Sequence, residues 1–379
     1  MNLAFKDIRH NLARFVITLF GVGLLITASV GMVGLYRGIV ADATLLIDRI
    51  GPDYWVVQGG KAGPFAESSL IASTMDRRVA GLAGVARVRR FMQSDQQIVH
   101  AGVQRRATLV GLDYTEDEGD WIELVRGRPL AQGRYEVIAD ASLGFAIGDR
   151  IDLARDTYEV VGIAQHMISA MGDGLIFVTI NDALDIARHK ANEEVRLARA
   201  ASGLGAMPAE SKIAAILVDL DPGADAAALV RTVMGWGDAN ILSNAAQTDL
   251  FLNQRLWRLR VQVLAFTAVL LAVMAIVIAL IVYTMTLEKL TSISLLKLIG
   301  ARDGMIYGMI VQQAALIGIG GYAVGVALAH LVFPLFPRRV VLDPEDLAVM
   351  LGVVLLFSLL AAQLGIRRAM RTRAQDVLS

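Results

Sequence analysis

The sequence contains no cysteine among its 379 residues, which excludes disulfides, thiolate metal sites and thiol catalysis. It also lacks an excess of charge of either sign, because 36 Lys and Arg residues balance 36 Asp and Glu residues. A basic surplus is the usual electrostatic signature of nucleic-acid binding. We therefore expect no nucleic-acid partner.

Sequence motifs for catalysis and metal binding are missing as well. No G-x-S-x-G nucleophile elbow occurs. His100, His166 and His189 lie far apart in the sequence, without the spacing that a metal site requires. We predict no catalytic residue, no metal site and no bound cofactor.

What the chain has in abundance is apolar sequence, with 55% hydrophobic residues. Much of it is concentrated in four uncharged runs, each long enough to cross a bilayer as a helix, for which about 20 residues are needed. These runs are Phe15–Tyr36, Val261–Leu287, Met305–Pro337 and Leu347–Ile366. The sequence therefore predicts an integral membrane protein.

The positive charges beside these runs predict how the chain is oriented. Cytoplasmic segments next to membrane spans carry an excess of Lys and Arg. On one side of the membrane the short segments carry Lys6, Arg9, Arg14, Lys289, Lys297, Arg302, Arg367, Arg368, Arg371 and Arg373; on the other side they carry only Arg338 and Arg339. We expect both termini in the cytoplasm of a bacterial inner membrane and the long polar segment in the periplasm.

The predicted fold class is an α-helical membrane protein with four transmembrane helices and a large α+β extracytoplasmic domain inserted between helices 1 and 2. The segments in order are an amphipathic cytoplasmic helix (1–14), the first span (15–36), the periplasmic domain with helical stalks (37–260), the second span (261–287), a cytoplasmic loop (288–304), the third span (305–333), a short periplasmic loop (334–346), the fourth span (347–366) and a cytoplasmic tail (367–379).

Within the large domain, short β-rich runs alternate with helical ones. The first stalk is expected to end at Gly51-Pro52, and Leu250–Arg260 is expected to form the returning stalk. Strands are predicted at Tyr54–Gln58, Ala86–Met92, Gln97–Val103, Ala107–Leu112, Glu136–Ala139, Arg150–Ala154, Glu159–Ile163, Leu175–Thr179 and Ala215–Asp219. Helices are predicted at Ser68–Ala80, Ala141–Phe145, Asn181–Ala200 and Ala224–Gly235.

The cytoplasmic loop between the second and third spans has the pattern of a short amphipathic helix that Gly300 ends. Its apolar residues are Leu290, Ile293, Leu296 and Leu298–Ile299. Such a helix either rests on the membrane surface or docks its apolar face into a groove of a cytoplasmic partner. The periodicity alone does not separate these two interpretations.

This loop, TLEKLTSISLLKLIGAR, resembles the E-R-x-x-E-I-G-x-L-(R/K)-A-(L/I)-G-A signature of the MacB/FtsX-type ABC transporter permeases. Three further segments resemble that family in the same order: LAFKDIRHNLARFVITLFGV at the start, RGRPLAQGRYEVIADASLGFAIGDRIDL with YEVVGI in the middle, and AAQLGIRRAMRTRAQDVL at the end. Two departures are Thr291-Ser292, which replaces the usual Arg/Glu pair, and Ala374-Gln375, which replaces Pro-x in the tail.

The resemblance implies a permease subunit that pairs with a second copy and is driven by a separate cytoplasmic ABC ATPase. The chain has no G-x-x-x-x-G-K-(S/T) nucleotide-binding motif, and Gly59–Gly63 lacks the required spacing. The residues implied in ATPase coupling are Glu288, Ile293, Leu295, Leu296, Lys297 and Gly300. A periplasmic adaptor (membrane fusion protein) or hydrolase is a possible further partner, besides membrane lipid.

Two other functions stay open at this stage. The chain could activate a periplasmic cell-wall hydrolase without moving any substrate, or it could be a membrane scaffold without an ATPase. Separately, Gly321-x-x-x-Gly325 in the third span permits close helix approach. Packing within one subunit is the favoured interpretation of that motif, with a subunit interface as the alternative.

Overall fold

The computed structural model describes residues 12–100, 102–189, 212–289, 291, 295, 303–336 and 338–371. The chain divides into two compact units. The helical unit contains the residues up to Gly38 and from Arg258 onwards, and the sheet unit is Ile39–Trp257.

The sheet unit is built on one large mixed sheet and a two-stranded ribbon. The large sheet has the order β12-β1-β11-β3-β4-β9-β6-β8-β5, with β7 pairing to β8, and the ribbon joins β2 to β10. The strands are β1 (Tyr54–Gln58), β2 (Ile71–Ala72), β3 (Val85–His100), β4 (Val103–Leu112), β5 (Leu124–Gly127), β6 (Glu136–Asp140), β7 (Arg150–Leu153), β8 (Asp156–Ala164), β9 (Gly174–Thr179), β10 (Lys212–Ile213), β11 (Ala215–Leu220) and β12 (Ala239–Ser243).

Burial on both faces explains why the central strands are continuous apolar runs. Every residue of β6 and β9 is buried, and a strand covered on both sides has no polar alternation. The pairs β4–β9 and β6–β8 are parallel, and the other pairs of the large sheet are antiparallel. Parallel neighbours need crossover connections rather than tight hairpins, so chain segments between them are available to cover the sheet.

Helices cover the sheet, and two of the short ones begin at polar N-caps. The helices are α1 (Leu12–Ile50, of which Ile39–Ile50 belongs to this unit), α2 (Met75–Ala80), α3 (residues 180–189), α4 (Ala226–Met234) and α5 (Asn244–Leu250). Asp225 accepts a hydrogen bond from the Ala228 amide at 3.0 Å, and Ser243 accepts one from the Ala246 amide at 3.1 Å. Both side chains satisfy amide donors that a helix N-terminus leaves unpaired.

Several predicted elements differ from the structure. Of the predicted helix Ser68–Ala80, only Met75–Ala80 is helical, and Ile71 instead pairs with Ile213 in the ribbon. This long-range pairing overrides a weak local helix preference. The two strands predicted at Ala86–Met92 and Gln97–Val103 are one strand, β3, because its polar middle still pairs with β4, for instance Asp95 with Thr108. Strands β2, β5, β10 and β12 are additional to the prediction.

Helix α1 ends at Ile50, directly before the Gly51-Pro52 pair at which the sequence predicted its end, and Gly51 has φ of +54°. The Gly51 amide donates to the Ile47 carbonyl at 3.1 Å, which closes the last turn. The predicted returning stalk Leu250–Arg260 is not one helix. Helix α5 ends at Leu250, a π-helical turn covers Phe251–Arg255, and a bend at Leu256 precedes the next helix.

The helical unit contains α1 as far as Gly38 together with α6 (Trp257–Glu288), α7 (Asp303–Val332) and α8 (Pro344–Arg371). Within the described residues, four helices are long and apolar enough to cross a membrane. Pro344 is the first residue of α8, where an amide would have no partner within the helix, so its absence costs nothing. Glu345 and Asp346 in the first turn interact favourably with the positive end of the helix dipole. With the mixed α/β sheet unit, these helices confirm the predicted fold class.

Candidate functional site

The residues predicted to contact an ATPase follow helix α6. Glu288 is the last residue of α6 and is exposed, and the Leu295 side chain is half exposed. Ile293, Leu296, Lys297 and Gly300 lie outside the described residues. The structure therefore places the start of this loop at the end of α6, and α7 begins after it at Asp303.

A run of glycines brings α7 into close contact with α1. A Cβ atom on Gly321 would lie 2.6 Å from Val22 Cγ1, and one on Gly325 would lie 2.8 Å from the Gly23 carbonyl oxygen. On the opposite helix, a Cβ atom on Gly23 would lie 2.8 Å from Val324 Cγ1. Distances this short exclude any larger side chain without movement of the helices, so the backbones meet as in small-residue membrane interfaces. We call this contact the glycine seam.

A buried hydroxyl group strengthens the glycine seam at its middle. Thr27 Oγ1 lies 2.9 Å from the carbonyl oxygens of both Gly23 and Gly325, so its single proton is shared between its own helix and α7. In an apolar environment this bond has no competition from water, and interhelical bonds of this kind contribute about 0.6 to 2 kcal/mol. The seam thus combines close packing with one polar contact.

The contact between α1 and the segment after α7 continues towards Gly38. A Cβ atom on Gly31 would lie 2.7 Å from the Phe333 ring, and one on Gly34 would lie 2.8 Å from Val340 Cγ1. The Val341 amide donates to the Gly34 carbonyl at 3.0 Å. From Gly23 to Gly34, α1 therefore lies against α7 and the loop that follows it.

An ion-pair cluster closes this part of the helical unit. Arg37 Nη2 donates to Asp346 Oδ1 at 2.8 Å, Arg37 Nε contacts the second oxygen of the same carboxylate, and Arg37 Nη1 lies 3.0 Å from Asp343 Oδ2. A bidentate guanidinium–carboxylate pair defines orientation as well as distance. Arg37 therefore joins α1 to the start of α8, in addition to the glycine seam with α7.

A second arginine contacts the C-terminal end of α1 within the sheet unit. Arg89 is 4% exposed and donates to Asp117 Oδ2 at 2.9 Å and to Asp219 Oδ1 at 3.3 Å. Its Nη2 also lies 3.5 Å from the carbonyl oxygen of Ile50, the last residue of α1. A cation at a helix C-terminus interacts favourably with the negative end of the helix dipole. We call Arg89, Asp117 and Asp219 the arginine joint.

Sequence reasoning missed most of these residues. It identified Gly321 and Gly325, but Gly23 and Gly34 gain meaning only because α1 is the partner helix. Arg37 and Arg89 are single charges with no local motif, and their carboxylate partners lie 309 and 28 positions away. The spacing of Gly321 and Gly325 in the third span was the sequence signal that pointed to a close helix contact.

Two family models match the chain. A model described as MacB-like periplasmic core domain matches residues 15–234, and a model described as FtsX-like permease C-terminal matches residues 264–374. Together they cover α1 from Phe15, the sheet unit as far as Met234, and most of the last three helices.

Full-length relatives are similar over nearly the whole chain. An uncharacterized ABC transporter permease of Mycobacterium bovis is 25% identical over 366 residues, covering 96% of this chain and 95% of the relative. An uncharacterized ABC transporter permease of Mycobacterium tuberculosis is 24% identical with the same coverage.

Among solved structures, the periplasmic region of MacB from Actinobacillus actinomycetemcomitans matches 52% of this chain and 92% of its own, with 15% identity and a TM-score of 0.36. The extracellular domain of the transporter YknZ from Gram-positive bacteria matches 51% of this chain and 100% of its own, with 12% identity and a TM-score of 0.34.

Proposed function

The chain belongs to the MacB/FtsX-type family of ABC transporter permeases, and we propose that it converts ATP hydrolysis by a separate cytoplasmic subunit into movement of its extracytoplasmic sheet unit. In this proposal the movement exports or extracts a substrate on the outer side of the membrane. The chain acts in a complex with the ATPase and a second copy of itself. It lies in the bacterial inner membrane with both termini in the cytoplasm.

The observation that carries the proposal is the path from the cytoplasmic loop to the sheet unit. Helix α7 begins directly after that loop and packs on α1 through the glycine seam. Helix α1 then runs without interruption to Ile50. Its 39 residues correspond to about 58 Å of helix, roughly twice the thickness of the hydrocarbon core. A displacement of α7 therefore has a stiff element through which to reach the sheet unit.

The decisive experiment places a charge on the apolar face of the loop. Because the chain has no cysteine, a spin label can be attached uniquely at Val103→Cys, which is an exposed site on the sheet unit. The full-length protein is purified with its co-purifying ATPase in nanodiscs, and the distance between the labels of two copies is measured with and without ATP. Leu296→Asp should abolish the ATP-dependent distance change while the protein remains in the membrane, because a buried charge opposes docking.

Thr291→Asp is the matched control, since Thr291 is an exposed residue of the same loop. It should leave the distance change in place. An unaltered response in Leu296→Asp would contradict the coupling assignment, and failure of any ATPase to co-purify would favour the scaffold function.

The orientation is tested with the same cysteine-free background. In intact spheroplasts a membrane-impermeant maleimide should label Val103→Cys, whereas Ser379→Cys should react only after the membrane is permeabilised. The reverse pattern would contradict the proposed localisation. An adaptor or a cell-wall hydrolase bound to the sheet unit stays a prediction from the sequence.

A further inference from the structure

We propose that a cleft in the sheet unit binds a small carboxylic acid in its ionised form, with a short hydrocarbon body. The cleft lies between the edge strand β5 and the loop 145–147 that precedes β7. Its volume is about 460 Å³, within the range of about 300 to 1,000 Å³ that small-molecule sites occupy. All of its lining residues belong to the sheet unit, so the inference depends neither on the proposed function nor on the position of the helical unit.

The cleft combines buried and exposed apolar side chains. Phe145 and Ile163 line it and are buried, whereas Val125 and Ile147 line it and are 52% and 51% exposed. Single exposed apolar side chains are common on protein surfaces, but these two border the same cleft as two buried ones. A hydrocarbon group that fills the cleft would remove apolar surface of the ligand and of the exposed pair from water.

The loop that forms one wall of the cleft is held in place by the protein itself. The Ala146 amide donates to Asp149 Oδ2 at 2.8 Å, which closes the loop on itself. The Phe145 ring lies 4.3 Å from the His100 ring at the tip of the β3–β4 hairpin. Because this wall is ordered without a ligand, binding does not have to order it, and the free energy of binding is not reduced by that cost.

The polar residues of the cleft select the other end of the ligand. Among the described residues, Arg126 is the one charged residue that lines the cleft, and its guanidinium group forms no hydrogen bond or ion pair with any of them. Gln165 lines the cleft too, and its exposed side-chain amide is a further donor. A guanidinium group binds a carboxylate through two parallel hydrogen bonds. The charge of the cleft is therefore complementary to a carboxylate and opposes a cation.

The carboxylates that lie close to the lining residues in the chain have partners other than Arg126. Glu123, directly before β5, lies 3.6 Å from Arg49. Asp140 and Asp149, on either side of the loop, accept hydrogen bonds from backbone amides. None of these three carboxylates lines the cleft. The guanidinium group of Arg126 is therefore available to a ligand.

The shape of β5 disfavours an extended protein segment as the occupant. Strand β5 stands at one end of the strand order, where a segment of another chain would have to pair with it. However, its pairing with β8 shifts register between Leu124 and Arg126. An irregularity of this kind and a charged side chain are two features by which edge strands avoid pairing with other chains. We therefore assign the cleft to a small molecule and not to a peptide.

The test compares octanoate that carries a diazirine on its hydrocarbon chain with the uncharged primary amide of the same compound. The full-length protein in nanodiscs is irradiated with either probe at about pH 7, where the acid is ionised, and labelled peptides are identified by mass spectrometry. We expect the acid to label the peptides containing Val125 and Ile147 about tenfold more than the amide, which corresponds to one charge-assisted hydrogen bond. The peptide containing Met234, an exposed apolar residue outside the cleft, gives the background for each probe.

Two pairs of variants make this result specific to the cleft. Arg126→Gln removes the charge but keeps a polar side chain, and it should bring the acid and the amide to equal labelling. Arg155→Gln is its matched control, because Arg155 is an exposed arginine outside the cleft, and it should keep the tenfold preference. Ala146→Trp fills the cleft and should reduce labelling by both probes to background, whereas Ala227→Trp at an exposed site of α4 should not.

Equal labelling of the cleft by both probes in the unaltered protein would overturn the proposal. So would a preference for the acid that survives in Arg126→Gln, or labelling that is unchanged in Ala146→Trp. The unfolding midpoint of every variant is measured as well, and if Ala146→Trp does not fold, the comparison of Arg126→Gln with Arg155→Gln decides. All arms are run without ATPase and ATP, so the outcome is independent of whether Leu296→Asp abolishes coupling.

Discussion

Two chain segments connect the helical unit with the sheet unit, and they differ in regularity. Helix α1 passes from one unit to the other at Gly38 and continues to Ile50 without a break. The second connection changes from α-helix to a π-helical turn at Phe251 and bends at Leu256 before α6 begins. Breaks of this type concentrate at functional hinges. Under the proposed function, we expect α1 to transmit movement as a stiff element and the Phe251–Leu256 segment to bend.

The contacts at the two segments agree with this division. Helix α1 is held by the glycine seam, by the Arg37 ion pairs and, at its end, by the arginine joint. In the second segment, Asn253, Gln254 and Arg255 are exposed, whereas Phe251 and Leu256 at its two ends are buried.

The largest effect is expected where α1 ends. Arg89→Met would leave the buried Asp117 and the partly buried Asp219 without their shared cation, which costs about 3 to 5 kcal/mol of stability. Arg87→Met is the matched control, because Arg87 pairs with the same Asp219 at 2.7 Å but is 47% exposed. Thermal unfolding of the purified protein should show a large loss for the first variant and little change for the second. Equal losses of thermal stability in the two variants would show that Arg89 contributes no more than an exposed arginine and would contradict its role in the arginine joint.

The second effect concerns the glycine seam. Gly321→Leu should cost about 1 to 3 kcal/mol through overpacking against Val22, and it should reduce the ATP-dependent distance change at position 103. Gly308→Leu lies on the same helix, where a Cβ atom would meet nothing within 4 Å, and should be tolerated. Stability in detergent and the label distance are the two readouts. A seam that accepts leucine at position 321 would not be the transmission contact.

The third effect separates the two connections directly. Ala41→Gly weakens α1 by about 1 kcal/mol relative to alanine and should diminish the ATP-dependent distance change. Gln254→Gly is placed in the segment that is already irregular, at an exposed position, and should leave that change intact. If the second variant has the larger effect, the roles of the two connections are reversed.

The smallest effect is a pH dependence confined to the sheet. Burial by itself raises the pKa of Glu136, but hydrogen bonds from Arg128 and from the amides of Ala131 and Gln132 outweigh it and hold the pKa below its usual value. A lowered folded-state pKa stabilises the protein above the unfolded-state pKa, and this contribution is lost as the pH falls through the folded-state value. Glu136→Gln should flatten the acid limb of the unfolding midpoint against pH. An unchanged acid limb would assign that limb to other carboxylates.

Local pattern was sufficient for much of the fold. The hydrophobic runs predicted four long helices, and β-branched runs with turn residues placed most of the central strands, because burial on both faces leaves a strong signal in a strand such as β9. Edge strands were missed because they are not buried on both faces and therefore lack a continuous apolar run. Strand β5 is largely exposed, so its sequence carries no such pattern.

The candidate site was predictable only in part. Sequence identified the loop that starts at Glu288 and the glycines of α7, since both carry local motifs. It did not identify Arg37 or Arg89, because a charge acquires a partner through the fold, and neither arginine has its carboxylate nearby in the chain.

By itself the sequence determined that this protein crosses a membrane, and it predicted which side its positive charges face. The free energy of transferring a segment from water into lipid depends on the composition and length of that segment and hardly on the residues packed against it. Only the tertiary structure decided which helix the glycines of α7 contact, where α1 is held and which connection bends. Those features depend on pairs of residues that are distant in the chain. Because protein interiors are close-packed, such pairs form only where the two side chains have complementary shape and charge.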